Sequence, residues 1–305
     1  MMMRHVSRLG LALALTLGLL STPAFAGDVE GALKYVPANF TTVVAVDFDA
    51  VRKSPFFDMA TAMLDKNKGA KSIEHELGLD AKKDLKTFVL AGPEAFMHHE
   101  EQFVVIIDAK IDGDKLIAYV KSQSGSVTEK KVGAASVYVV DKEGAFAVDG
   151  KFVIAGYAPL VEQALAAKAG KSVGSGPLAS LVKRFKGSKG GFAISGGGPK
   201  VRSMMSADMP EFDKLQSAGA GLDLSSGATL TLVGNFADAG AASTISDGIG
   251  SALQDASTDP DLKEMGLASM VAKIKTTAKG KAVEIGFKLD AAEAKQLIET
   301  FAKMQ

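Results

Sequence analysis

The segment ATLTLVGNF, Ala228–Phe236, sets Leu230 and Leu232 against Thr229 and Thr231. Successive side chains on a strand point to opposite faces, so this alternation predicts a half-buried strand. Lys281–Leu289 repeats the pattern, with Val283, Ile285, Phe287 and Leu289 set against Glu284 and Lys288. Between the two strands Asp238 opens a helix that places Ile245, Ile249 and Leu253 on one stripe, and a second helix is expected over Asp261–Ile274. Asp290 then caps a terminal helix with Ala294, Leu297, Ile298 and Phe301 on one side. Alternating strands interleaved with amphipathic helices predict an α+β fold, with mostly antiparallel sheets and helices packed on one face.

Working back toward the N-terminus, Thr41–Phe48 (TTVVAVDF) is a β-branched apolar run and predicts a buried strand, with a helical pattern from Val51 to Leu64 after it. Further strands are expected at Thr87–Ala91, Gln102–Lys110, Ser126–Val132, Ser136–Val140, Ala145–Val148, Lys151–Ala155 and Gly191–Ser195. Helices are expected at Asp114–Lys121, Pro159–Ala167, Pro177–Phe185 and after Pro199. Two places look alike: Lys110-Ile111-Asp112 and Lys288-Leu289-Asp290 each end a strand and hand over to a helix with a Leu-Ile pair. Each follows an earlier strand and an Asp near a helix start, Asp49 and Asp238. This reads as two related strand–helix–strand–strand–helix halves, 27–190 and 191–305, meeting in the Gly-rich stretch Gly187–Gly198. Asp after a strand is also ordinary capping chemistry, which gives the same likeness without a repeat.

Residues 1–26 carry an export address. Arg4, His5 and Arg8 form a basic start, and Leu9–Leu20 is an uncharged run of 12 residues. Pro23 and Ala24-Phe25-Ala26 then predict cleavage between Ala26 and Gly27. The run is shorter than the roughly 20 residues that a membrane span needs. Cleavage leaves 279 of the 305 residues, with 33 basic against 35 acidic side chains. That balance gives no electrostatic reason to bind nucleic acid, and no integral membrane segment is expected in the mature chain. The expected location is the periplasm, with the extracellular space as the alternative. There is no cysteine, so thiol nucleophiles, thiolate zinc sites and iron–sulfur ligation are excluded.

The candidate chemistry is sparse. Gly170-Lys171-Ser172 lacks the earlier glycine and the strand–helix setting of a phosphate loop. Ser195-Gly196-Gly197-Gly198 could offer backbone N–H groups to an anion, or could simply be a flexible connection. His98-His99-Glu100-Glu101 is the one concentration of metal-competent side chains, with His75 the remaining mature histidine. Met204, Met205 and Met209 suit either soft-metal ligation or core filling. Asp47 and Asp49 flank Phe48 at a strand end, where capping accounts for Asp49. With Asp108 and Asp112 they are the only candidates for paired carboxylates. No catalytic, cofactor-binding or metal-ligating set is assembled from these residues.

Leu33-Lys34-Tyr35-Val36-Pro37-Ala38, the strand Thr41–Phe48 and Ser54-Pro55-Phe56 together resemble exported bacterial proteins of unknown function that open with such a pattern. The likeness continues through Gly78-Leu79-Asp80, Asp84-Leu85, Phe103–Lys110 leading to Asp112, and the terminal strand–helix unit. The resemblance implies the α+β fold and the compartment, and it carries no activity to transfer. The expectation for function is a periplasmic binding or scaffold protein without catalysis or cofactor, engaging an envelope protein or a small apolar ligand. The alternatives are an envelope hydrolase using the strand-end carboxylates and a periplasmic metal-handling protein.

Overall fold

The computed structural model describes residues 27–57, 77–93, 102–199, 201–202 and 209–304. In chain order it contains α1 (Val29–Leu33), β1 (Thr42–Asp47), α2 (Phe48–Arg52), α3 (Ala81–Asp84), β2 (Leu85–Gly92), β3 (Val104–Ala109) and α4 (Gly113–Gln123). Then follow β4 (Val127–Val132), β5 (Ala135–Val140), β6 (Gly144–Asp149), β7 (Phe152–Tyr157), α5 (Ala158–Ala169), α6 (Ala179–Phe185) and β8 (Gly190–Ser195). The last part holds β9 (Leu215–Asp223), β10 (Ala228–Phe236), α7 (Ala239–Thr258), α8 (Pro260–Glu264), α9 (Ala268–Val271), β11 (Lys275–Lys279), β12 (Ala282–Leu289) and α10 (Ala291–Met304).

The strands form one sheet in the order β11-β12-β10-β9-β8-β1-β2-β3-β7-β6-β5-β4. Every pairing is antiparallel. The α+β class with antiparallel pairing is as the sequence patterns indicate. The sheet is continuous through β8, inside the Gly-rich junction, because β8 pairs with β1 on one side and β9 on the other. The two look-alike units share their element order but pair differently. In the first, β2 lies between β1 and β3; in the second, β12 lies between β10 and β11.

Cross-strand register assigns the faces. Val43 and Ala45 of β1 stand level with Ala91 and Val89 of β2, and these with Val104 and Ile106 of β3. This first face is covered by α1, α5 and α6, whose Ala32, Leu33, Val161, Ala164, Leu181, Val182 and Phe185 complete the largest core. The second face carries Phe88, Val105 and Ile107 beneath Phe48 of α2. Farther along it carries Val283 and Leu289, covered by α7 and by α8–α10. Helices therefore cover each end of the sheet mainly from one side, and the sides are opposite.

Two differences from the sequence expectations have local causes. The helix expected over Asp261–Ile274 is split into α8 and α9 at Gly266, whose φ of +72° is left-handed, and the chain becomes strand at Lys275. β9 (LQSAGAGLD) has almost no apolar alternation because Gly219 and Gly221 receive the Phe185 ring. A Cβ on either glycine would lie 2.7 or 2.4 Å from that ring. Asp238 and Asp112 cap α7 and α4 as expected, each accepting a backbone N–H. Asp290 and Glu293 form a reciprocal capping box at the start of α10. Both sheet edges, β4 and β11, carry lysines, which oppose edge-to-edge pairing.

Candidate functional site

Two features stand out, at opposite ends of the central strands. At the C-terminal end of β1, register places Asp47 beside Thr87 and Thr87 beside Asp108, one row on the first face. Asp47 and Asp108 are thus two strand spacings apart, about 10 Å. Asp108 is 2% exposed and Thr87 is fully buried, a polar floor beneath an otherwise apolar core. Lys151, in the β6–β7 turn, reaches in and places Nζ 2.9 Å from Asp108 Oδ2 and 3.2 Å from Asp28 Oδ2. Asp28 also caps α1 by accepting the Gly31 N–H. Burial alone would lower the Lys151 pKa, but the two carboxylates outweigh it and hold the ammonium charged above its ordinary value. A lysine held in that state is a clamp and a poor nucleophile.

Asp49 lies on α2, away from this row. It is buried, and its Oδ1 stands 3.0 Å from Nη1 of Arg52. The Arg52 guanidinium also donates to the carbonyls of Lys83 and Leu85, tying α2 to the segment leading into β2. The residue that caps α2 is Asp47, which accepts the Ala50 N–H at 3.0 Å. Capping was expected of Asp49. The chain passes from strand to helix already at Phe48, and this moves the cap to Asp47. Burial pushes the carboxyl of Asp47 up, against the pull of its backbone N–H donors, and pushes Asp49 up against the pull of Arg52. Of the four strand-end carboxylates, the fold brings Asp47 and Asp108 into one row, pairs Asp49 with Arg52, and leaves Asp112 exposed as a cap.

At the other end of the strands lies an open cleft of about 400 Å³. Phe40, Pro177 and Leu178 form its apolar wall, while Ser180, Gln216, Ser217 and Asn235 supply hydroxyl and amide groups. Asn235 Nδ2 donates to Ser217 Oγ at 2.9 Å, which ties the two polar side chains of the lining together. Among the described residues, no charged side chain lines the cleft. Gly196 sits at its rim with its N–H donating to the Thr41 carbonyl, so that amide is already committed and does not cradle an anion. The cleft left no trace in the sequence patterns, because its lining comes from five separate stretches of chain.

His75, His98, His99, Met204 and Met205 lie outside the described residues, while Met209 packs against the core under α7. Among the described residues, no three His, Asp or Glu side chains converge to hold a metal ion. None of the described helices is long and apolar enough to cross a membrane. No family profile and no curated protein matches the chain. Among solved structures, the chain is similar to TP0453, a Treponema protein of unknown function. Crystal form III of that protein superposes with a TM-score of 0.51 at 10% identity, covering 88% of this chain and 97% of the other. Form IV gives 0.49 at 9% identity, covering 88% and 96%. The likeness to form III is one of fold.

Proposed function

We propose that the protein is an exported, periplasmic binding or scaffold protein that acts by recognition and not by bond-making. The observation that carries this reading is the cleft at the ends of β9 and β10, an apolar wall facing a shelf of uncharged hydrogen-bonding groups. Its size falls in the range of small-molecule sites. An uncharged amide-and-hydroxyl lining fits a neutral ligand rich in hydroxyl or amide groups with one apolar side, such as a sugar or a short peptide stretch. An ion would leave its charge uncompensated there. The buried charged groups, by contrast, are engaged in holding elements together: Lys151 joins Asp28 to Asp108, and Arg52 joins α2 to β2. The fold likeness to TP0453, itself of unknown function, is compatible with this reading.

The test is a titration of isotope-labelled protein with a neutral N-acetylated disaccharide, followed by amide NMR. Shifts at Gly196, Gln216, Ser217 and the Asn235 side-chain amide are expected, and Asn235→Leu should remove them. Shifts that avoid the cleft altogether, or a turnover activity that depends on Asp47 or Asp108, would refute the proposal.

A further inference from the structure

Gly27 tucks against the polar floor of the first-face core, ahead of α1. A Cβ built on it would lie 2.6 Å from the Lys86 carbonyl oxygen, 2.8 Å from Thr87 Oγ1 and 2.9 Å from Asp47 Oδ1. These separations exclude a carbon atom, yet they are hydrogen-bond distances for a nitrogen donor. Three oxygen acceptors thus converge on one point a single bond from the Gly27 Cα, and an ammonium group carries three donors and no acceptor. Thr87 is fully buried, and its hydroxyl has no hydrogen-bond partner among the described residues.

We infer that this point is the seat of the protein's own α-ammonium group, created at Gly27 when the leader is removed after Ala26. Hydrolysis of the Ala26–Gly27 peptide bond consumes one water: the carboxylate leaves with the leader and the amine, protonated, stays on Gly27. Before cleavage the nitrogen is an amide fixed in the chain. After it, one third of a turn about the Gly27 Cα–C bond carries the nitrogen into the empty tetrahedral position among the three oxygens. Only glycine leaves that position empty. The inference rests on the cleavage position in the export reading and is independent of the cleft.

Charge favours the same arrangement. The row at the seat holds Asp47 of β1, Thr87 of β2 and Asp108 of β3, with the Lys86 carbonyl beside it. Lys151 of the β6–β7 turn bridges Asp108 to Asp28, next in the chain, while Asp49 and Arg52 of α2 lie away from the row. Asp49 and Arg52 compensate each other, and Lys151 serves both Asp28 and Asp108. Asp47 accepts its hydrogen bonds from backbone N–H groups, and burial destabilises its charge. An ammonium at hydrogen-bond distance relieves that cost, so removal of the leader completes a buried ion pair and locks the first strand pair under α1.

The experiment compares two full mature chains, one beginning at Gly27 and one retaining Ala26, and reads unfolding in urea together with the α-amino pKa. The Gly27 chain should have a folding equilibrium constant larger by about tenfold, the scale of a charge-assisted hydrogen bond. Its amine should titrate above the ordinary range of about 7.7–8.0. The advantage should vanish once the amine deprotonates, and Asp47→Asn should remove most of it. Should that variant fold poorly, acetylation of the amine in the native wild-type chain supplies the reading, and it should be much slower than in urea. Equal stability of the two chains, an ordinary amine pKa, or unhindered acetylation overturns the seat. Mass analysis of the exported protein showing a terminus other than Gly27 overturns its link to processing.

Discussion

Asp47 and Asp49 stand two residues apart and are both shielded from water, yet their carboxylates are held by different means. Asp49 has its cation one helical turn away, at Arg52, and the pair is built from a single short segment. Asp47 accepts backbone N–H groups and belongs to a row that spans β1, β2 and β3. The far member of that row, Asp108, meets a Lys151 that also holds Asp28 of the N-terminal segment, more than a hundred residues away in sequence. The first arrangement forms whenever α2 forms. The second exists only when the strands are in register and the chain ahead of α1 is in place. Local pairing fixes a helix, while the long-range row reports whether the sheet is correctly assembled.

Removing one member from each arrangement should separate them. Arg52→Met leaves Asp49 buried without its cation and frees two carbonyls, so a loss of about 3–5 kcal/mol in urea unfolding is expected. A loss below about 1 kcal/mol would mean that the pair is held loosely enough for water to replace it. Lys151→Met should cost less, about 1–3 kcal/mol, because Lys151 is half exposed although Asp108 is not. An Asp108→Asn change in the same background should recover part of that loss, since it removes the stranded charge.

The smallest effects are in acid and have opposite signs. In the chain that keeps Ala26, burial raises Asp47 above 3.8. As pH falls through that raised value the folded state binds its proton first, so Asp47 contributes a gain in stability down to 3.8. Burial also acts to raise Asp28, but the Gly31 N–H and Lys151 outweigh it and hold the carboxyl below 3.8. Its contribution is complete above 3.8 and is lost as pH falls through the lower folded value. Urea midpoints measured across the acid range should therefore lose a favourable slope in Asp47→Asn and an unfavourable one in Asp28→Asn. Slopes of the same sign in both variants would show that the two carboxylates do not differ as their surroundings require.

Much of the architecture was legible because it is written in period and cap. β10 and β12 declare themselves by alternation, and Asp112, Asp238 and Asp290 mark helix starts that the fold uses. β9 was missed because its two inward glycines are shaped by the Phe185 ring, a contact from another element that leaves no apolar signal in the strand. The helix over Asp261–Ile274 was drawn too long because a lone glycine inside an apolar pattern does not announce its φ. Among the strand-end acids, the residue types were visible but their grouping was not: Asp47 joins Asp108 across β2, while Asp49 turns to Arg52.

The sequence by itself determined the α+β class, the antiparallel strands and the helix caps at Asp112, Asp238 and Asp290, because each depends on residues near one another in the chain. Tertiary structure alone decided that the strands make one sheet, which helices cover which face, where the uncharged cleft opens, and which carboxylates share a row. Those features depend on register and on approach between distant segments. Side-chain periodicity fixes which face a residue takes on its own strand, but it does not fix which strand lies alongside.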